Sequence, residues 1–374
     1  MLKQYQVKDY NFRLIVYVLV LTMIGISIIG SARESVQSKQ VMGMLVGIVA
    51  MVIVSLIDYN FILRFHWIIY AFNLILLGLI TFNILGSDAG GATRWIEFGP
   101  IRFQPSEFSK VCIILFFSWF FAKYHEKVNK LPLLLVAGIL IVVPWYMIKE
   151  QPALTTSIVA IMIFLSLLFL TGLSYKIIVG VLAVSVPAVS IFLYLILQPD
   201  QKILEHYQWL RIMAWLQPDK YAEKAWQQQN SIMAIGSGML WGKGLNNDNV
   251  FSVKNGNFIP EPHTDFIFSV AGEELGFAGC AAILILLLLI VIECIIIGKK
   301  AKDLSGRLIC GGVAAWIGFQ TFFNICVVTG LMPNTGVPLP FVSYGLTSLV
   351  SLFIGIGLVL NIGLQPRKYG MGEF

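Results

Sequence analysis

Charge is scarce in this chain. Only 12% of its 374 residues are Asp, Glu, Lys or Arg, about half the share of an ordinary soluble domain. That shortage excludes a pair of soluble domains, which the length alone would allow. The five cysteines, Cys112, Cys280, Cys294, Cys310 and Cys326, make no CxxC pair and all sit in apolar runs. They exclude a disulfide framework and a zinc site, and read as small buried hydrophobes. The first apolar run, Leu14 to Ile29, has no A-x-A site behind it, so it reads as a retained helix and not a cleaved leader. No fixed-period repeat or low-complexity tract is present. Glycines at Gly236-Ser237-Gly238 and Gly242-Lys243-Gly244 follow no strand and no GK[ST], which excludes a phosphate-cradling nucleotide loop.

Long apolar runs stand where charge is missing. Hydrophobic residues make up 57% of the chain, and its mean hydropathy is +0.81. Runs near 14–31, 40–57, 66–85, 107–122, 132–148, 154–171, 177–196, 266–297, 308–330 and 341–363 each approach the ~20 residues that cross a bilayer. The expected class is an all-α polytopic membrane protein of about ten transmembrane helices. The 266–297 run is long for one span, so it is expected to tilt or to extend past the bilayer.

The net charge of +6 is a topology signal. With the N-terminus inside, the cytoplasmic connections hold fourteen Lys and Arg, from Lys3 to Lys368, against six in the short outer ones. The positive-inside rule then places both termini in the cytoplasm. No basic soluble face remains for a nucleic acid. The long connection 197–264 falls outside, between helices 7 and 8. Its aromatics, among them Trp209, Trp215, Trp226 and Trp241, argue against disorder and suit short amphipathic helices on the membrane surface.

Polar groups at membrane depth are costly and mark function. Four stretches gather them, all at the outer face. The first, Gly90 to Ile96 and then Phe103 to Lys110, holds Arg94, Gln104, Pro105, Ser106, Glu107 and Lys110. Pro105 suits a first helical turn, and Glu107 and Lys110 share one helix face. They form either a local ion pair or a carboxylate and an ammonium at a cavity wall, with Lys110 able to hold a phosphate. The second stretch, Glu150 to Thr156, is a Pro-marked helix start. The third holds His263, Thr264, Asp265, Glu273 and Glu274. Thr264 is the expected N-cap, with Asp265 in the first turn. Glu273 and Glu274 must face a cavity or partners. His263 has no second His or Cys at metal spacing. In the fourth, Gly330 to Gly345, three prolines and several glycines forbid continuous helix. Ser343 lies in it.

Taken together, GATRWI, FQPSEFSK, AIGSG, GKG, HTDFIF, AGEELG and PNTGVPLPFVSYG resemble, in order and over nearly the whole chain, the shape, elongation, division and sporulation (SEDS) family. The short N-terminus and compact tail are most similar to its RodA branch. The resemblance implies one transmembrane domain over 1–374 that works as a peptidoglycan glycosyltransferase in the bacterial cytoplasmic membrane, here for cell elongation and shape. The implied substrate is lipid II, and the implied partner is a class B penicillin-binding protein. It implies Asp265 as the essential acid, with Glu107 and Lys110 lining the same cavity. Arg94, Gln104, Ser106, Arg211, His263, Thr264, Glu273, Glu274 and Ser343 are the candidate substrate-binding groups. The leaving pyrophosphate needs a cationic partner or a divalent metal, Mg²⁺ or Mn²⁺. Lys110 comes first among the cations, with Arg94 and Arg211 behind it. The family's QPDLGT reads QPALTTS here, so Ala153 replaces an acid. A lipid II flippase and a non-catalytic scaffold stay open as alternatives.

Overall fold

The computed structural model describes residues 10–82, 86–89, 92–98, 101–151, 154–198, 206–246 and 258–365, with 204, 252 and 256 singly. Its helices are α1 Phe12–Ala32, α2 Glu34–Leu56, α3 Tyr59–Arg64, α4 His66–Thr81, α5 Pro105–Lys123, α6 Leu131–Glu150, α7 Leu154–Leu170, α8 Tyr175–Ile196, α9 His206–Leu216, α10 Ala222–Ser237, α11 Ile267–Lys300, α12 Leu304–Val328 and α13 Leu346–Gly363. Among the described residues, seven of these are long and apolar enough to cross a membrane: α1, α2, α5, α6, α11, α12 and α13. The apolar helices α4, α7 and α8 fall on the other three expected spans, so the polytopic helical class holds.

Local chemistry sets the ends. The Asn11 side chain accepts from the Leu14 N–H at 3.1 Å and starts α1, and Asp303 does the same for α12 through Gly306 at 2.8 Å. Pro105 occupies the first turn of α5, where its missing N–H costs nothing. The α2–α13 contact is close because Gly43 and Gly47 let Leu346 and Phe353 sit against bare backbone, the small-xxx-small device of bilayer helices. Helix α5 lies inside the bundle, with nearly all its side chains buried.

Three features add to the expectations. The connection before α5 is a three-stranded antiparallel sheet, β1 Gly86–Ala89, β2 Ala92–Phe98 and β3 Ile101–Phe103. Next, the long connection does carry short helices, and α9 and α10 pack on the end of the bundle. The face of α10 that carries Ala225, Gln228, Ser231 and Ala234 is buried. Gln228 Nε2 donates to the carbonyls of Val327 (2.7 Å) and Met332 (2.6 Å), at the end of α12 and just beyond it.

The third is inside α11. Its length is divided by Gly276, which adopts φ 65° and ψ −165°. The freed backbone groups pair with the 238–244 loop. Lys243 and Gly244 donate their N–H to the carbonyls of Glu273 (2.9 Å) and Glu274 (3.0 Å), and Phe277 and Ala278 donate to Met239 (2.9 Å) and Leu240 (3.0 Å). Gly238 of AIGSG and Gly242 of GKG therefore serve close backbone approach: a Cβ on Gly238 would lie 1.8 Å from the Gly272 carbonyl oxygen, and one on Gly242 2.2 Å from that of Glu274. Gly276→Ala should be among the most damaging small substitutions, since the left-handed backbone and a Cβ 2.3 Å from the Gly242 nitrogen both oppose it. We expect a loss of about 1–3 kcal/mol, read as a lowered unfolding temperature of the purified chain in detergent.

Candidate functional site

The sheet, α9, the N-terminal ends of α5 and α11, and the loop between α12 and α13 meet at one end of the bundle. They enclose a cavity of about 250 Å³. Its walls carry Trp95, Gln104, Glu107, Thr156, Arg211, Glu261, Thr264, Asp265, Thr335, Gly336 and Tyr344, among others. Five of the side chains expected at the site are thus brought together: Gln104, Glu107, Arg211, Thr264 and Asp265.

Asp265 sits two residues before α11, because the N-cap is Phe266 and not Thr264. The Thr264 hydroxyl lies 2.8 Å from both Asp265 Oδ1 and the Glu261 carbonyl oxygen. One proton can serve only one of them at a time. Asp265 keeps a small face open to the cavity while protein surrounds the rest of it. That burial raises its pKa above the ordinary carboxylate value. The Thr264 hydroxyl and the charge of Arg211 act against the shift, and Glu261 adds to it. On the other side, Gly336 at φ 69° brings bare backbone to the carboxylate, where a Cβ would stand 3.5 Å from Oδ2.

Glu107 and Lys110 form a buried ion pair at 2.8 Å, each residue 1% exposed. Lys110 Nζ also donates to Gln320 Oε1 at 2.7 Å and lies 4.9 Å from the Trp316 ring centre. It points into α12 and not into the cavity, which corrects its expected place at the wall. Burial makes a lone ammonium costly there, so it is spent on Glu107 and Gln320. Among the described residues, Arg211 is the basic side chain that reaches the cavity. It also donates to the Asn334 carbonyl at 3.5 Å.

The remaining expected residues stand behind the wall. Ser106 is buried and accepts from Gln104 Nε2 at 3.2 Å. His263 is buried, its ring 5.5 Å from that of Tyr344, and its carbonyl accepts from the Tyr344 N–H at 2.9 Å. Ser343 Oγ accepts from the Leu339 N–H at 2.7 Å and holds a turn. Glu273 pairs with Lys243 at 2.8 Å, and Glu274 accepts from Ser31 at 2.5 Å. Both acids do face partners, at the Gly276 break. The Arg94 side chain and Ala153 fall outside the described residues.

Sequence reasoning missed Gln320 and Asn324. With Trp316 they recur every four residues along one face of α12. Trp316 Nε1 donates to Gln320 Oε1 (2.7 Å), Gln320 Nε2 to the Pro338 carbonyl (2.9 Å), and Asn324 Nδ2 to the carbonyls of Asp265 (2.7 Å) and Val337 (2.6 Å). Two amides inside an apolar run were the available signal. Three acids, Glu107, Glu261 and Asp265, line the cavity. Among the described residues, however, no three acidic, His or Cys side chains converge closely enough to hold a metal ion.

The family model described as cell cycle protein, named for FtsW, RodA and SpoVE, matches residues 8–368. The chain is 31% identical to the probable peptidoglycan glycosyltransferase FtsW of Geobacter sp. (strain M18), over 97% of this chain and 99% of that one. It is 36% identical to the peptidoglycan glycosyltransferase MrdB of Escherichia coli (strain K12), over 79% and 77%. Among solved structures it resembles a chain of a peptidoglycan synthase complex that coordinates polymerization and crosslinking (TM-score 0.78, 26% identity, 95% and 97% covered). It also resembles the rod shape determining protein RodA of Thermus thermophilus (TM-score 0.68, 25% identity, 95% and 96% covered).

Two outcomes follow from the site's electrostatics. Lys110→Met leaves Glu107 as an uncompensated buried charge and should cost about 3–5 kcal/mol. Adding Glu107→Gln should recover much of that loss, and thermal unfolding of the single and double variants checks it. Asp265 is an acid with a raised folded pKa, so its stabilising contribution is complete below the ordinary carboxylate value, about 4, and is lost as pH rises through the folded value. Asp265→Asn should therefore unfold at a higher temperature than the parent chain near pH 7. The gap should close as pH falls toward about 4.

Proposed function

The chain belongs to the FtsW, RodA and SpoVE family of cell cycle proteins, and on that premise we propose that it polymerises lipid II into glycan strands with Asp265 as general base. It is a peptidoglycan glycosyltransferase, the activity named for its curated relatives. The observation that carries the finer reading is the Asp265 carboxylate, which faces a cavity with Arg211 on the same wall.

Two lipid-linked substrates meet at the cavity mouth. The acceptor's 4-hydroxyl gives its proton to Asp265 as the oxygen bonds to the donor's anomeric carbon. The bond from that carbon to the pyrophosphate breaks, and undecaprenyl pyrophosphate leaves with the electron pair. Asp265 then releases its proton to water. A base works best with a pKa lifted toward the working pH, the direction in which burial moves this carboxyl. Arg211 is placed to face the leaving charge. At about 250 Å³ the cavity is smaller than a whole-ligand pocket, so only the reacting ends enter.

The excess of Lys and Arg in the connections at the opposite end supports an outward-facing cavity, with both termini in the cytoplasm. The likeness to a chain of a polymerising and crosslinking complex supports a class B penicillin-binding protein as partner. A role in elongation rests on the likeness to RodA. A flippase would place its polar site near the midplane between repeats, whereas these polar residues gather at one end.

The test is polymerisation of labelled lipid II by the purified chain with its transpeptidase partner, beside a lipid II scramblase assay. Asp265→Asn should lose about 10²–10⁴-fold in rate and still insert and fold. Arg211→Gln should lower the rate by a smaller factor. Wild-type polymer from Asp265→Asn, or scrambling without polymerisation, would overturn the assignment.

A further inference from the structure

Asn324 is 1% exposed and sits inside α12, where a polar side chain is costly. Its amide spends both N–H groups on carbonyls of two other segments. One goes to the main chain of Asp265 itself at 2.7 Å, the other to Val337 at 2.6 Å. Its own Oδ1, equally buried, accepts from no group among the described residues. A residue kept for stability alone gains little from such an arrangement, since an orphaned buried acceptor is destabilising.

The two carbonyls are not equivalent neighbours of the site. Val337 follows Gly336, the left-handed residue whose bare backbone lies against Asp265 Oδ2. Asp265 is the acid itself. One amide thus sets the spacing between the turn that carries the carboxylate and the loop that walls it. Helix α12 is a rigid platform for this, and Gln320, one turn earlier, holds the next residue of the loop through the Pro338 carbonyl at 2.9 Å.

We propose that Asn324 is a positioning residue for the glycosyl transfer, holding Asp265 in the orientation from which it takes the acceptor's proton. The proposal rests on the reading of Asp265 as the base. Asn324 touches neither substrate nor cavity, so its loss should slow turnover and leave substrate binding alone. Misplacement of a reacting group by about 1 Å is worth about 10²-fold in rate.

The experiment uses the full chain with its partner, supplied with lipid II, and measures kcat, KM and the unfolding temperature of each variant. Asn324→Asp keeps the size but presents a carboxylate to both carbonyls, and Asn324→Ser keeps one short donor. We expect Asn324→Asp to lose about 10²-fold in kcat with KM unchanged, and Asn324→Ser to lose less, per folded molecule. A wild-type kcat in the folded fraction of either variant overturns the proposal, however far the unfolding temperature falls. So does a rise in KM at constant kcat. If both variants fail to fold, the residue is a fold residue and the proposal is likewise overturned. The parent chain and Asp265→Asn run alongside as the separate check on the base. Polymerisation at the wild-type rate by Asp265→Asn overturns the base and this proposal together, whereas a strongly slowed Asp265→Asn beside fully active Asn324 variants overturns this proposal alone.

Discussion

From the last turn of α12 to the start of α13 the chain follows no regular ladder, and in a bilayer-embedded bundle each main-chain carbonyl there must still find a donor. Side chains from four elements, α2, α9, α10 and α12, supply many of them. Gln228 reaches Val327 and Met332, Ser231 reaches Val328, and Trp215 reaches Gly330. Arg211 reaches Asn334, Asn324 reaches Val337, Gln320 reaches Pro338, and Gln40 reaches Ser343. Helices α9 and α10 therefore dock where their side chains can donate to main-chain carbonyls at the end of α12 and in the loop after it. The loop can stay open-chained, with Gly336 against Asp265, only because those donors hold it.

The same constraint explains the Gly276 break. A continuous helix would need no outside partner. By leaving the helical path at Gly276, the chain exposes backbone that the 238–244 loop pairs with. The two acids beside the break find partners locally, Glu273 in an ion pair with Lys243 and Glu274 in a hydrogen bond from Ser31. Charge at this end is thus used in two ways. Lys110 and Glu107 cancel inside the bundle, while Asp265 has no cation in contact among the described residues and is pushed toward its neutral form. Stability is given up at the residue where a proton acceptor is wanted.

The spans were legible because hydrophobic runs of bilayer length leave few alternatives. The cavity was legible in part, since Pro105, Glu107, Asp265 and the 330–345 loop each broke the apolar pattern. Lys110 was misplaced because spacing puts it on the face of Glu107 but does not say which side chain turns inward. The answer depended on Gln320, 210 residues away. The β1–β3 sheet was hidden by its glycines and short strands. Thr264 resembled a cap by composition, yet its hydroxyl serves Asp265 and Glu261. Gln320 and Asn324 carried a visible signal inside an apolar run, but weight fell on the motifs at the helix ends.

A site at one end of the bundle has a physical advantage for a substrate that is half lipid. The polyprenyl chain gains by staying among acyl chains, and the sugars and pyrophosphate gain by staying in water. A midplane site would force the polar half through the hydrocarbon, which suits a transporter that moves its cargo. An enzyme that only joins two sugars needs to bring reacting atoms together at the boundary and let each half keep its solvent. The bundle then needs rigidity more than motion, because a proton acceptor loses rate steeply with displacement. Amide donors anchored on α12 supply that rigidity where the loop's own backbone cannot.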